Sequence, residues 1–218
     1  NPNGIPVLYV HGGPGGGAGT HNRDRFDQKR YRTILFDQRG AGRSIPYGSI
    51  EENSTPHLIE DIEALRSELG IEKWILFGGS WGSTLALAYA IKHPNRVIGM
   101  VLRGIFLGRK KEINWLYGPK GAATVFPMEY KRFIEHLKPS ERKKPVIAYY
   151  HLLTLGDEVE QRQAADAWNR WETDISQLIP DVTPAPKNDS GIAIARIECH
   201  YFTHACFFPS ESYLLKKA

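Results

Sequence analysis

Residues 73–92 read Lys73-Trp74-Ile75-Leu76-Phe77-Gly78-Gly79-Ser80-Trp81-Gly82-Ser83-Thr84-Leu85-Ala86-Leu87-Ala88-Tyr89-Ala90-Ile91-Lys92. The apolar run Lys73–Phe77 predicts a buried strand. The Ala/Leu-rich run Ser83–Lys92 predicts a helix, stopped by His93-Pro94. Between them Gly78-Gly79-Ser80-Trp81-Gly82 matches G-x-S-x-G. Three fixed residues in five recur by chance, so the flanking strand and helix give the match its weight. A sharp strand-to-helix turn lifts the serine hydroxyl above a sheet. Glycines flank such a serine because neighbouring backbone leaves no room for a Cβ. The N-terminal dipole of the following helix points toward Ser80 and favours developing negative charge there. Ser80 is therefore expected to be a nucleophile, and Ser83 a hydroxyl at the helix start.

Working outward, Ile5–Val10, Thr33–Asp37 and Arg96–Leu102 read as further short buried strands. Thr55 is the expected N-cap of a helix with Pro56 in its first turn, apolar positions at Leu58, Ile62, Leu65 and Leu69, and Gly70 closing it. Short apolar runs alternating with helices predict an α/β fold, a mostly parallel sheet with helices on both faces. From about residue 108 the texture changes to Trp, Tyr, Lys and Pro. Helices are expected over Tyr130–Leu137, Pro145–Leu155, Val159–Leu178 and Gly191–Phe208, with a loop over Pro180–Asp189. The chain divides into a partial α/β core, 1–107, and a helical insertion, 108–218. Trp168 and Trp171, three apart, are read as packing residues of one helix face.

His11-Gly12-Gly13-Pro14-Gly15-Gly16-Gly17 follows the first strand. It lacks the Lys and Ser/Thr of a phosphate-binding P-loop and the spacing of a dinucleotide fingerprint. His-Gly-Gly after a strand instead supplies a backbone N–H to an oxyanion hole. That donor is assigned to Gly13 and the second to Trp81, each contributing roughly 3 kcal/mol in a transition state. His11 is read as a residue that orders the loop. Asp37-Gln38-Arg39-Gly40-Ala41-Gly42-Arg43-Ser44 is read as a turn held by an internal Asp–Arg pair.

The bulk numbers agree with a soluble globular protein. With 41% hydrophobic and 24% charged residues over 218 positions there is material for one ordinary core. The net charge of +4 comes from scattered residues rather than a basic stripe, so no nucleic-acid partner is expected. No stretch approaches the ~20 apolar residues of a membrane span. Cys199 and Cys206 would lie roughly 10 Å apart on one helix, too far for a disulfide. With no secretory leader at Asn1, the expected location is the cytoplasm.

Together these motifs resemble the prolyl aminopeptidases (proline iminopeptidases) of the α/β-hydrolase superfamily. His11–Gly17, Asp37–Ser44 and Gly78–Ser83 match in wording and order. So do Trp168-Asn169-Arg170-Trp171-Glu172 and Ala195-Arg196-Ile197-Glu198-Cys199-His200-Tyr201-Phe202. The resemblance implies an α/β-hydrolase fold with residues 108–218 as a helical lid. It implies release of N-terminal proline from peptides through an acyl-enzyme, without metal or cofactor. Glu198 then matches a lid glutamate that holds the substrate's free amino group. Gly12 is placed with the substrate, and Tyr201 and Phe202 as walls of an apolar proline pocket. The other readings weighed are an esterase or amidase on the same fold and an inactive remnant.

In this fold the triad runs Ser, then Asp or Glu, then His, the last two on loops after later strands. The resemblance places both beyond Ala218 and further strands before Asn1. This chain by itself is expected to be inactive, with open sheet edges. His93, His200 and His204 sit on predicted helices and are not expected to replace the base.

Overall fold

The computed structural model describes residues 1–177 and 190–217. Strands β1 (Ile5–Val10), β2 (Tyr31–Leu35), β3 (Trp74–Gly79) and β4 (Val97–Arg103) form one sheet in the order β2-β1-β3-β4. All three pairings are parallel, with Leu8 opposite Ile34 and Leu76, and Leu76 opposite Met100. The strand expected at Thr33–Asp37 starts and stops two residues earlier, because Phe36 and Asp37 already belong to the following turn.

Helix α1 (Thr55–Glu68) joins β2 to β3, and α2 (Trp81–Lys92) joins β3 to β4. Both crossovers step in the same direction along the sheet. The right-handed rule therefore puts both helices on one face. There Leu58, Ile62, Leu85 and Tyr89 bury Leu8, Val10, Trp74 and Leu76 in a common core. On the opposite face Tyr9 stacks on Phe77 at 5.9 Å, and Phe26 meets Phe77 edge-on at 5.2 Å. The described cover of that face is the turn around the short 3-10 segment Thr20–Arg25 rather than a helix. The outer edge of β4 is open, with Ile98 56% and Val101 51% exposed.

Thr55 is not the N-cap. Ser54 holds that position, and Thr55, already helical, donates its hydroxyl to Cys206 O at 2.7 Å. The demands of a contact 151 residues away override the local capping preference.

The second half of the chain is helical: α3 (Lys110–Tyr117), α4 (Ala122–Val125), α5 (Pro127–Glu135), α6 (Pro145–Leu155), α7 (Glu158–Ile175), α8 (Ser190–Thr203) and α9 (Tyr213–Lys217). Sequence reading missed α3 and α4, which are short and carry no long apolar period. Helix α3 begins where Glu112 accepts from the Arg109 backbone N–H at 3.0 Å, and α7 at a reciprocal cap between Asp157 and Glu160. An aromatic core holds the bundle. Phe133 stacks on Tyr149 at 4.7 Å and Tyr117 on Trp168 at 4.4 Å. Trp168 and Trp171 are both fully packed, as their spacing suggested. Each such ring carries about 5 kcal/mol of gross transfer free energy.

Helix α8 stops at Thr203, short of the expected Phe208, because Ala205, Cys206 and Phe207 all take positive φ. Cys206 therefore lies off the helix of Cys199, and both thiols are free and buried. The expected loop Pro180–Asp189 lies outside the described residues. Among the described residues no helix is long and apolar enough to cross a membrane.

Candidate active site

The turn between β3 and α2 has the predicted geometry. Ser80 adopts φ 54° and ψ −126°, a left-handed conformation unusual for a side-chain-bearing residue. Crowding explains the glycines. A Cβ on Gly78 would run into Gly82 O, and one on Gly82 would run into Val10 O. The strained serine is held by its neighbours: Ser80 N–H donates to Arg103 O at 3.1 Å, and Ser80 O accepts from the Ser83 backbone at 2.9 Å. Ser83 Oγ also donates to Ser80 O, at 2.7 Å, so it does act as a hydroxyl at the helix start. The Ser80 side chain stays exposed at the top of the sheet.

The glycine loop packs against this turn. A Cβ on Gly12 would sit 3.2 Å from Gly79 O and 3.7 Å from Ser80 Cβ. Gly13 has φ 111°, a conformation that glycine adopts without cost. Among the described residues the N–H groups of Gly13 and Trp81 have no protein acceptor.

His11 organises the loop from beneath and is 1% exposed. Its Nε2 accepts from Gln38 N at 2.9 Å, and its Nδ1 lies 2.9 Å from Gly12 O and 3.2 Å from Gly17 N. Burial lowers its pKa to about 4, partly opposed by the Gly12 hydrogen bond and by Asp37, so the ring is neutral. Gln38 links this histidine to the elbow: its Nε2 donates to His11 O at 3.0 Å, and its Oε1 accepts from Trp81 Nε1 at 3.0 Å. The Asp37 turn is closed as expected, with Arg43 Nε 2.8 Å and Ala18 N 2.6 Å from the carboxylate.

Ser80 and Gly13 open into a cavity of about 450 Å³ between the sheet top and the helical half. Phe106, Leu116, Ile194 and Phe202 give it apolar walls. Two carboxyl groups on its lining, Glu172 and Glu198, stand out. Glu198 is 4% exposed, and its Oε2 accepts from Trp168 Nε1 at 2.6 Å. Glu172 is partly buried and accepts from the Tyr117 hydroxyl. Burial is the main cause that raises both carboxyl pKa values, and the neighbouring Glu172 pushes Glu198 well above the usual range. Arg196 does not neutralise Glu198. It turns away to Leu153 O at 2.9 Å and to Gln161.

Of the residues expected around the substrate, Phe202 and Glu198 line the cavity and two others do not. Tyr201 faces the other side of α8, edge-on to Trp81 at 4.7 Å, and donates to Asn53 Oδ1 at 2.9 Å. Of these two neighbours on α8, Phe202 reaches the cavity and Tyr201 packs against Trp81. Gly12 lies behind Ser80 rather than on the lining. Sequence reading quoted Glu172 in its motif without giving it a role. Its membership follows from α7 and α8 converging on the cavity, which no local pattern shows.

None of the described histidines lines the cavity or hydrogen-bonds to Ser80. His93 caps the far end of α2, roughly 18 Å along the axis. His200 is turned to Asn53 O at 2.9 Å, and His204 to His200 O at 2.7 Å.

Comparison with known proteins agrees with this architecture. The model of the alpha/beta hydrolase fold family matches residues 5–188. A probable proline iminopeptidase of Leptolyngbya boryana is 49% identical over 219 residues, covering 99% of this chain and 68% of that protein. A proline iminopeptidase of Arabidopsis thaliana is 49% identical over 218 residues, covering 98% of this chain and 57% of that protein. A crystal structure of a probable hydrolytic enzyme from Pseudomonas aeruginosa superposes with a TM-score of 0.53 at 21% identity, over 99% of this chain and 62% of the other, and shows the fold alone. The chain spans 57% to 70% of the length of the curated relatives it matches.

Proposed function

This chain belongs to the alpha/beta hydrolase family, beside the proline iminopeptidases, and from that membership we propose that it is a serine aminopeptidase releasing N-terminal proline from peptides. One observation carries the reading: a single cavity presents Ser80 on its strained turn together with Glu172 and Glu198, which form no ion pair among the described residues.

Ser80 Oγ attacks the prolyl carbonyl. The N–H groups of Gly13 and Trp81 receive the oxyanion, and collapse of the tetrahedral species expels the amine and leaves a prolyl ester on Ser80. Water then releases proline. No described histidine lines the cavity, and the base that takes the Ser80 proton is proposed to lie outside the described residues. A prolyl terminus is a secondary ammonium with two N–H donors. Glu172 and Glu198 each have one oxygen pinned, by Tyr117 and Trp168, and one without a described partner. Two donors thus meet two acceptors, while Phe106, Leu116 and Phe202 enclose the pyrrolidine carbons. The helical half then acts as a lid, with Gly12 supporting the turn from behind.

Hydrolysis of proline 2-naphthylamide by the full-length protein that supplies the base tests the proposal. The Ser80→Ala variant loses cleavage and labelling by a fluorophosphonate, and Glu198→Gln raises KM at least ~10-fold. Unchanged peptidase kinetics in Glu198→Gln, with simple esters the better substrates, would instead indicate an esterase.

A further inference from the structure

Glu172 on α7 and Glu198 on α8 face one cavity, and among the described residues neither forms an ion pair. The groups packed round them are neutral or acidic. Tyr117 on α3 donates to Glu172, and Trp168 on α7 donates to Glu198. Tyr149 on α6 is turned to Phe133 O at 2.7 Å, and Cys199 on α8 is a buried thiol. Glu112 on α3 also reaches the lining, with its charge held by Arg109 at 3.0 Å. Of the cations on the same two helices, Arg196 reaches Leu153 O and Arg170 reaches Asp174 at 2.9 Å.

Two carboxylates in a poorly solvated site, with no cation between them, do not both ionise. Each loses hydration, and each raises the cost of charging the other. An incoming ammonium reverses both penalties. We propose that the empty Glu172–Glu198 pair holds one shared proton and that a cationic amine entering the cavity displaces it to solvent. The inference rests on the reading of this cavity as the amine subsite.

The balance is simple. One carboxylic acid, one carboxylate and one ammonium become two carboxylates and the same ammonium, and one proton passes to buffer. Once the pH exceeds the α-amino pKa of about 8, the amine arrives neutral. It then takes the shared proton onto its own nitrogen, and release falls toward zero.

The test is calorimetric titration of L-prolinamide into the Ser80→Ala protein at pH 7, in buffers of different ionisation enthalpy. About one proton is released per ligand bound, and fewer in the Ser80→Ala, Glu172→Gln protein, where Glu198 no longer faces a second carboxyl group. Infrared difference spectra of the Ser80→Ala protein show a protonated carboxyl band that disappears on binding. Binding without proton release, with no such band, overturns the shared proton and leaves the amine subsite standing. Absence of binding overturns both.

Discussion

Trp81 donates its indole N–H to Gln38 Oε1 at 3.0 Å, and Gln38 in turn clasps His11 through both its backbone and its side chain. The residue after the nucleophile is thereby tied to the strand end that launches the glycine loop. The two proposed oxyanion donors belong to segments far apart in sequence, and this network fixes their spacing.

Replacing Gln38 with Leu leaves the Trp81 N–H and the His11 carbonyl buried without partners. Each unsatisfied group costs about 1–3 kcal/mol. The expected result is a lower unfolding midpoint in urea and slower fluorophosphonate labelling of Ser80, with no change in the unfolding m-value.

His11 makes stability depend on pH. Its folded pKa of about 4 lies below the unfolded value of 6.5. The unfolded chain therefore binds more protons between these values, and stability rises with pH across that window. The contribution is complete above pH 6.5 and is lost as pH falls toward 4, about 3 kcal/mol in all. Unfolding titrations at pH 7, 5.5 and 4 read this loss, and the His11→Gln variant shows a flatter profile.

The positive φ of Ser80 stores strain of about 1–3 kcal/mol. Ser80→Gly adopts the same backbone without strain. It is expected to melt higher than the parent protein while losing all labelling, which scanning calorimetry and the fluorophosphonate assay together decide. A drop in melting temperature would show that the turn is unstrained.

Trp168→Phe keeps an aromatic ring on Tyr117 but removes the donor 2.6 Å from Glu198. A hydrogen bond to a charged group contributes about 1.5–3 kcal/mol. KM for proline 2-naphthylamide is expected to rise roughly tenfold or more, with a smaller change in kcat. Equal effects on both constants would argue for disrupted packing instead.

Gly82→Ala tests the crowding at the elbow. Its Cβ would meet Val10 O, a backbone atom that cannot move without distorting β1. The variant is expected to unfold at markedly lower urea or fail to fold, whereas Gly70→Ala meets no atom within 4 Å and bears only the strain of its φ of 63°.

The sequence by itself determined the parallel sheet, the helix that follows Ser80 and the turn that exposes it. These follow from short-range physics: apolar period, proline and glycine stereochemistry, and steric exclusion between residues a few positions apart. It also marked His11 as a structural residue and Trp168 and Trp171 as packing residues. Tertiary structure alone decided that Glu172 joins Glu198, that Tyr201 turns to Asn53 while Phe202 meets the cavity, and that Thr55 serves Cys206 rather than its own helix. Those outcomes depend on how helices converge from distant parts of the chain. The charge state of a carboxyl group is likewise set by the solvent and counter-ions around it, which only the assembled fold defines.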